Sequence, residues 1–302
     1  MVLFMKHKHG VVFILLGQSN AVGHGIPMKE DRITKPMKNV FGLHREDNQS
    51  FDMQELTWSG YTSGGMNLAE EQDHTYSVAN CLARMWQDQI DAGNAELPDL
   101  YIIQIAIGAQ GITDQYMWHP ERVPKLVPGK LGTVDISLYP FTMHILSLLK
   151  DSFQKRNMTY EIMGVHWRGG ENDITVQSEA LQEVLPGLYT AFFHDISKAL
   201  EQEDVSISLH LMACPQRAME MDTSGMYLKN QEYINDLFCS FAKEYAQVQV
   251  FDVRKAPFYE ADTRTHGLFM EDAVHYTSKT NKWVASEILK EYLEDRSAGF
   301  HR

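Results

Sequence analysis

The sequence is poor in cysteine and in basic residues, and each shortage excludes a class of protein. Its three cysteines form no CxxC pair and are odd in number, so they do not indicate a disulfide framework. A reducing compartment is the simpler inference. The chain carries 27 lysines and arginines against 40 aspartates and glutamates, which gives a formal net charge of −13. That charge disfavours nucleic acid and anionic membranes as partners.

Hydrophobic runs long enough to span a bilayer are also missing. The short apolar run at residues 11–16 leads directly into a polar turn, and no small-residue cleavage site precedes that turn. We therefore predict a first strand there instead of a signal peptide, and a cytoplasmic location. Internal repeats, low-complexity segments and linkers are absent from the sequence, which predicts a single domain over residues 1–302.

What the chain does contain is the pattern of a central strand near its start. Residues 11–16 are all apolar, and Gly17, Gln18, Ser19 and Asn20 follow them. A continuous apolar run is typical of a strand whose two faces are both covered. A serine just past the carboxyl end of such a strand lies where open α/β sheets bind ligands. The alternative is a plain turn in which Ser19 or Asn20 caps a helix.

Apolar periodicity predicts alternating helices and strands along the rest of the chain. Helical patterns occur at residues 75–91, 139–153, 179–200 (with a break near Pro186), 227–245 and 278–293. Four further strands are predicted at residues 100–107, 160–167, 205–213 and 248–253, and a short strand at 39–43 is an additional candidate. This alternation indicates an α/β protein with three layers, α/β/α, around a mainly parallel five-stranded sheet.

Four turns hold the residues that suggest chemistry. Three predicted strands end in polar, glycine-containing turns at residues 17–20, 108–111 and 169–173, and a polar loop at 272–275 precedes the last helix. The carboxyl ends of parallel strands meet along one edge of a sheet, so these turns are expected to converge. Turns often require glycine. They do not require a serine in one, an asparagine in another and Asp-x-x-His in a fourth.

Those residue types suit acyl transfer. A serine hydroxyl becomes a nucleophile when a base removes its proton, and histidine has a suitable pKa near neutrality. His275 is therefore the candidate base for Ser19, and Asp272 is placed to hold the imidazole in the required tautomer. The backbone N–H groups of Ser19 and Gly108 and the side-chain amide of Asn172 are candidate donors to the oxyanion.

The four turns resemble, in order, the sequence blocks of the SGNH (GDSL-like) hydrolase superfamily. Within it, the form is closest to the sialate O-acetylesterase and acetylxylan esterase family of carbohydrate esterases. Residues 17–20 resemble that family's first block, with Ala21 where methionine is usual. Residues 107–112 resemble its Ile-Gly-Gly-Thr-Ser-Ile block, and residues 167–173 resemble its Trp-x-Gln-Gly-Glu-Ser-Asp block. Residues 272–275 match the Asp-x-x-His block of the superfamily, so the resemblance covers nearly the whole chain.

The resemblance implies a flavodoxin-like SGNH hydrolase fold and a Ser-His-Asp catalytic triad. It makes Ser19 the nucleophile, His275 the base and Asp272 the residue that orients His275, and it places Gly108 in the oxyanion hole. Residues 170–173 resemble the Gly-x-Asn-Asp block of the wider superfamily, in which the asparagine donates to the oxyanion.

That second resemblance assigns the oxyanion role to Asn172. It matters because Gly169 stands where the esterase family has glutamine. Glu171 has two interpretations. It assists the histidine, as the matching glutamate is proposed to do in some esterases resembling this chain, or it is a structural carboxylate bonded to loop N–H groups.

Other residues near these turns are candidates for substrate binding: Gln18, Gln110, Trp118 and Arg168. Trp118 is placed where an aromatic ring could stack on a sugar, and ordinary packing is the alternative. Arg168 could bind the carboxylate of an acidic sugar in bidentate fashion, and anchoring of a loop is the alternative. The long polar regions 24–74 and 113–135 are predicted to set specificity.

We expect a serine esterase that removes O-acetyl or other short acyl groups from a small-molecule or oligosaccharide ester, without a cofactor or metal. A metal set of His24, Asp272 and His275 is disfavoured because no His-x-x-x-His or Cys/His spacing supports it. One alternative is a non-catalytic carbohydrate-binding protein on the same fold. Another is an SGNH lipase or thioesterase, which ranks lower because residues 24–74 show no long apolar lid or acyl channel. Nothing in the sequence indicates an oligomeric state.

Overall fold

The predicted first strand lies in the middle of the sheet. The computed structural model describes residues 8–24, 32–45, 54–63, 66–69, 76–94, 97–121, 125–129 and 132–298. In it, β1 (Lys8–Gly17) pairs in parallel with β5 (Asp99–Ala106) on one side and with β8 (Met158–Arg168) on the other. Residues 11–16 have no exposed surface, as expected for a strand covered on both faces.

Within the described residues the sheet already has eight strands, so the predicted number of five is wrong. Its order is β10-β9-β8-β1-β5-β2-β3, with β4 also paired to β5, and only the β2–β3 pairing is antiparallel among its described pairs. The five strands predicted from apolar runs are β5, β1, β8, β9 and β10, which form one contiguous parallel block. The remaining strands are β2 (Val40–Leu43), β3 (Trp58–Gly60), β4 (Leu68–Ala69), β9 (Ile207–His210) and β10 (Val248–Phe251).

The three additional strands belong to the region 24–74, where the sequence predicts one short strand at 39–43, and β2 confirms it. β3 and β4 were not predicted, because strands of three and two residues are too short for an alternating or continuous apolar pattern to stand out. β2 and β4 share the same edge of β5: β2 pairs at residues 100–102 and β4 at residues 105–106. Residues 25–31, 46–53, 64–65 and 70–75 lie outside the described part of this region.

Helices cover both faces of the sheet, as the α/β prediction requires. Side chains of β1 alternate between two cores, with Val12, Ile14 and Leu16 in one and the odd-numbered residues 11–15 in the other. The helices are α1 (Ser19–Val22), α2 (Val78–Asp91), α3 (Leu138–Ser147), α4 (Leu149–Lys155), α5 (Ser178–Leu200), α6 (Pro215–Met221), α7 (Met226–Glu244) and α8 (Ser278–Ser297). The first core lies under α3, α4, α5 and α7, and the second under α1, α2 and α8.

Two helix predictions need correction. The predicted break near Pro186 is absent, because α5 continues through this residue from Ser178 to Leu200. Its apolar face, which includes Leu185 and Tyr189, is buried against the sheet, and such packing outweighs the hydrogen bond that a proline removes. The single helix predicted at residues 139–153 is instead two helices, α3 and α4, separated at Leu148.

The region 113–135 is also more ordered than the sequence indicates. It contains most of an antiparallel hairpin of β6 (Lys125–Gly129) and β7 (Gly132–Ile136). This hairpin pairs with itself as a separate two-stranded sheet. Within the described residues, no helix combines the length and the apolar character needed to cross a membrane.

Candidate active site

Three adjacent strands bring three of the predicted turns side by side. β1 lies between β5 and β8, and Gly17 is level with Ala106 on one neighbour and with Arg168 on the other. The turn that contains Ser19 is therefore flanked by the turn at residues 107–111 and by the turn at 169–173. Taken in chain order as 1 to 5, the five contiguous parallel strands have the order 2-1-3-4-5, and ligands bind at the switch point beside strand 1 in sheets of this order.

The serine turn requires a glycine at its start. Gly17 has φ of +143°, and a Cβ there would lie 2.0 Å from the carbonyl oxygen of Arg168. The backbone N–H of Gln18 donates to that same oxygen at 3.1 Å, so β1 and β8 stay joined until the chain turns. Ser19 is then the first residue of α1 and is 8% exposed. A side chain at position 17 would separate the two strands just before the serine.

Asp272 and His275 form a hydrogen-bonded pair within one loop. The Nδ1 atom of His275 lies 2.5 Å from Oδ2 of Asp272, and Oδ1 of Asp272 accepts from the backbone N–H groups of Val274 and His275, both at 3.0 Å. Partial burial opposes ionisation of this carboxyl, but the three donors together hold the pKa of Asp272 below its usual value. A carboxylate can only accept, so Nδ1 carries the proton and Nε2 is the basic nitrogen of neutral His275.

Asn20 connects the serine turn to the histidine loop. Its Nδ2 donates to the carbonyl of Val274 at 3.1 Å, and its Oδ1 accepts from the backbone N–H of Tyr276 at 3.2 Å. These are the residues directly before and after His275. His24, whose backbone N–H donates to the carbonyl of Ser19, places its ring 5.8 Å from the His275 ring, edge to face. The loop that holds the histidine therefore lies against the segment that holds the serine.

Glu171 holds the side chains on both sides of Ser19. Its Oε2 accepts from Nε2 of Gln18 at 2.5 Å, and its Oε1 accepts from Nδ2 of Asn20 at 2.8 Å. Both partners are side-chain amides, which differs from the loop N–H groups of the structural interpretation. The carboxylate that contacts the His275 ring is that of Asp272. The geometry thus gives Glu171 a place in the serine turn and Asp272 the contact with the histidine.

The amide of Asn172 lies between the serine turn and the turn after β5. Its Nδ2 donates to Oε1 of Gln18 and to the carbonyl of Gln110 at 3.4 Å. Gln110 in turn accepts from the backbone N–H of Met117 at 3.0 Å and donates weakly to the carbonyl of Gly108 at 3.5 Å. Gln18 and Gln110, both candidates for substrate binding, are therefore part of a hydrogen-bonded chain that connects the three turns.

Asp173 joins the two flanking turns across the end of β1. Fully buried, its Oδ1 accepts from the backbone N–H groups of Ile112 and Thr113 at 3.0 Å and from the Thr113 hydroxyl at 2.8 Å. Burial raises the pKa of this carboxyl to about 6, and the hydrogen bonds limit the increase. Gly111 leaves room for it, because a Cβ there would lie 2.4 Å from Oδ1.

Trp118 and Arg168 are buried, so the structure favours the packing alternative for each. Trp118 has no exposed surface, donates from Nε1 to the carbonyl of Gly17 at 3.0 Å and meets Trp167 edge to face. Arg168 is 2% exposed and donates to the carbonyl of Asn20 at 3.0 Å and to Oδ1 of Asn281 at 2.9 Å. Neither side chain presents a face to a ligand, and both support the serine turn from beneath.

Sequence reasoning missed the roles of three residues in this arrangement. It treated Asn20 as a turn or cap residue and His24 only as a metal candidate, and it did not single out Tyr276. The position of Asn20 directly after the serine was a signal, because a side chain there lies at the same sheet edge as the histidine loop. The described residues contain no group of three or more histidine, cysteine, aspartate or glutamate side chains arranged to hold a metal ion.

The fold and the position of these polar residues define an α/β protein with a central, mainly parallel sheet and a polar cluster at the carboxyl ends of its middle strands. No protein-family model matches the sequence, and no curated protein sequence matches it either. Solved structures do share the fold. NanS is 16% identical with a TM-score of 0.56, and the alignment covers 95% of this chain and 99% of that one.

A protein from Arabidopsis thaliana is also similar in fold. It is 15% identical with a TM-score of 0.53, and the alignment covers 94% of this chain and 98% of that chain. Both alignments extend over nearly the full length of each partner, so the likeness applies to the whole fold and not to a shared sheet alone. At these identities it is the fold that is shared.

Proposed function

We propose that this protein is a serine esterase of the SGNH hydrolase type that removes O-acetyl or other short acyl groups from a carbohydrate. The observation that carries the proposal is the hydrogen-bonded Asp272–His275 pair held by Asn20 against the segment that begins with Ser19. A nucleophile, a base and an orienting acid in one cluster suit acyl transfer. The strand order 2-1-3-4-5 is that of flavodoxin-like sheets, which agrees with this fold type.

In the proposed mechanism, Oγ of Ser19 attacks the ester carbonyl carbon and Nε2 of His275 takes the hydroxyl proton. Asp272 keeps the Nδ1 proton in place and stabilises the imidazolium that forms. His275 then returns the proton to the departing sugar oxygen as the acyl-enzyme forms. Water activated by Nε2 of His275 attacks the acyl-enzyme, which releases the acid and restores Ser19.

The proposed oxyanion donors come from all three turns: the N–H groups of Ser19 and Gly108 and the amide of Asn172. Asn172 has two amide hydrogens, and its longer contact is the 3.4 Å bond to the carbonyl of Gln110. An oxyanion would replace that carbonyl as the acceptor, while the bond to Gln18 keeps the amide oriented. This arrangement leaves Asn172 able to respond to charge that develops only in the transition state.

A carbohydrate ester is the proposed substrate because the four sequence blocks resemble the sialate O-acetylesterase and acetylxylan esterase family. The fold that this chain shares with NanS along its full length is compatible with that resemblance. The binding-protein alternative is less favoured because serine, histidine, aspartate and asparagine all stand at the turns. A protein of this fold that only binds carbohydrate would not need all four of these residues, so at least one of them could be replaced.

The test compares p-nitrophenyl acetate with butyrate and octanoate esters, using the wild type and Ser19→Ala. We expect turnover of the acetate, much slower turnover of octanoate, and loss of activity in Ser19→Ala with an unchanged melting temperature. Full activity in Ser19→Ala would refute the assignment of the nucleophile. Preference for octanoate would support the lipase alternative. No turnover of any ester by the wild type would favour the carbohydrate-binding alternative, which acetylated oligosaccharides would then test by calorimetry.

A further inference from the structure

Holding a catalytic histidine in position requires two separate restraints. One fixes the tautomer and rotation of the ring, and Asp272 supplies it through the 2.5 Å contact to Nδ1. Asp272 and His275 belong to the same short loop, however, so this contact moves whenever the loop moves. It cannot set the distance between the histidine and a serine that lies more than 250 residues earlier in the chain. A second restraint has to connect the loop to the serine segment.

Asn20 makes that connection on both sides of the histidine. Its amide group donates to the carbonyl of Val274 at 3.1 Å and accepts from the N–H of Tyr276 at 3.2 Å, so one planar group contacts both residues that flank His275. Two bonds from a rigid amide restrain the loop in translation and in rotation. Asn20 directly follows Ser19, so no flexible segment separates the nucleophile from this restraint.

Two further contacts hold Asn20 itself in place, one from Glu171 and one from Arg168. Asn20 is 3% exposed, and its Nδ2 also donates to Glu171 at 2.8 Å. Its backbone carbonyl accepts from Nη1 of Arg168 at 3.0 Å, and the same guanidinium lies 4.7 Å from the centre of the Tyr276 ring. Arg168 also donates to Asn281 of α8 at 2.9 Å. Asn20, directly after the serine, and Tyr276, directly after the histidine, therefore both contact the buried guanidinium of Arg168.

From this geometry we infer that Asn20 is the positioning residue that sets the distance and angle of His275 relative to Ser19. The inference rests on the proposed esterase function. The inference also assigns a role to Glu171. By accepting a hydrogen bond from Asn20, Glu171 helps to orient the amide that holds the histidine loop. The carboxylate thus acts on His275 through Asn20 and not by direct contact.

The perturbation is Asn20→Ala, which removes all three side-chain bonds. Asn20→Asp is the shape-preserving second variant: it keeps an acceptor for the Tyr276 N–H and places a carboxylate oxygen against Glu171 and the Val274 carbonyl. The matched control is Asn230→Ala. Asn230 is 1% exposed and also makes three side-chain bonds, to the carbonyls of Ile174 and Val176 and to the Ser178 hydroxyl, each 2.8 Å.

The expected result is a fall in kcat of about 100-fold for Asn20→Ala on p-nitrophenyl acetate, since a displacement of about 1 Å has that effect. KM should change by less than about threefold, because binding of the substrate is not altered. Asn230→Ala should lose stability to a similar extent but keep kcat within about threefold.

Two outcomes separate this inference from the function on which it rests. If Ser19→Ala is inactive and Asn20→Ala matches Asn230→Ala in kcat, the positioning role is refuted while the esterase stands. If Ser19→Ala remains active, the proposed function fails and the inference fails with it. Should Asn20→Ala not fold, Asn20→Asp decides: a kcat within threefold of wild type refutes the role, and a fall of tenfold or more at constant KM supports it.

Discussion

Replacing Asp173 tests whether the two turns beside the serine are held together by a single buried carboxylate. In Asp173→Ala, the N–H groups of Ile112 and Thr113 and the Thr113 hydroxyl lose their common acceptor. A buried donor left without a partner costs about 1–3 kcal/mol, so the variant should lose about 3 kcal/mol or more of unfolding free energy. Asp173→Asn keeps an oxygen for the same three donors and should lose much less at neutral pH.

The pH dependence provides a sharper measurement. Burial raises the pKa of Asp173 to about 6 in the folded protein, against about 4 when the chain is unfolded. The stabilising contribution of the protonated carboxyl is complete below pH 4 and is lost as the pH rises through 6. Between pH 5 and pH 8, the wild type should therefore lose about 1.4 kcal/mol from this group alone. Asparagine does not titrate and has no such loss.

Urea unfolding of the wild type and Asp173→Asn at pH 5 and pH 8 measures this difference. All other titrating groups are common to the two proteins, so they cancel in the comparison. Relative to the wild type, Asp173→Asn should gain about 1.4 kcal/mol between pH 5 and pH 8. An unchanged difference would show that the hydrogen bonds outweigh burial and that the carboxyl is ionised at both pH values. That result would refute the reasoning.

Three further predictions follow from single contacts. Asp272→Asn should lower kcat by about 10³–10⁴-fold, because an amide NH₂ facing Nδ1 reverses the tautomer of His275; esterase kinetics near wild-type values would contradict this. Gly17→Ala should lower the unfolding free energy by more than about 3 kcal/mol or prevent folding, because its Cβ would lie 2.0 Å from the Arg168 carbonyl oxygen. Its control is Gly187→Ala, which has open space around the new Cβ and should raise the unfolding free energy by up to about 1 kcal/mol. Burial and the charge of Arg168 hold the pKa of His210 well below its usual value. The contribution of neutral His210 to the unfolding free energy is therefore complete above pH 6.5 and is lost as the pH falls, by about 1.4 kcal/mol per pH unit. In urea unfolding below pH 6.5, the unfolding free energy of His210→Gln should fall less steeply with pH than that of the wild type. Equal slopes for the two proteins would refute this prediction.

The parts of the fold that could be predicted are those whose own residues carry an apolar run, an alternating apolar pattern or an apolar helical face. β1, β5, β8 and the helices α2, α5, α7 and α8 all bury long apolar runs or faces. β3 and β4 were not predicted. β4 pairs with β5, and β3 pairs with β2, which itself pairs with β5. Their position depends on strands elsewhere in the chain, so local periodicity does not indicate them. The same holds for Pro186, where packing of α5 outweighs a local signal.

In the site, the residue types and the Asp272–His275 pair were predictable, whereas the partners of Glu171 and Asn20 were not. Serine, histidine and two carboxylates stand out because acyl transfer needs them, whichever elements hold them. Which carboxylate contacts the histidine depends on the shape of one loop. Ala273, with φ of +56°, turns the chain so that Asp272 reaches Nδ1 of His275. Glu171 lies in the turn that follows β8 and reaches the amides of the serine turn instead.

Two alanines in the turns of the site have a strained backbone conformation. Among the described residues, the alanines with positive φ are Ala109, at +57°, and Ala273, at +56°. Alanine has no side chain that compensates for this conformation, which costs about 1–2 kcal/mol. Both lie in turns at the carboxyl edge of the sheet, one between Gly108 and Gln110 and the other between Asp272 and His275. Such strain persists where surrounding contacts over-determine the backbone, and Asp272 supplies those contacts around Ala273 through its bonds to the N–H groups of Val274 and His275. The strained residues and the proposed catalytic groups therefore occupy the same turns, where exact placement of the reacting groups matters more than local stability.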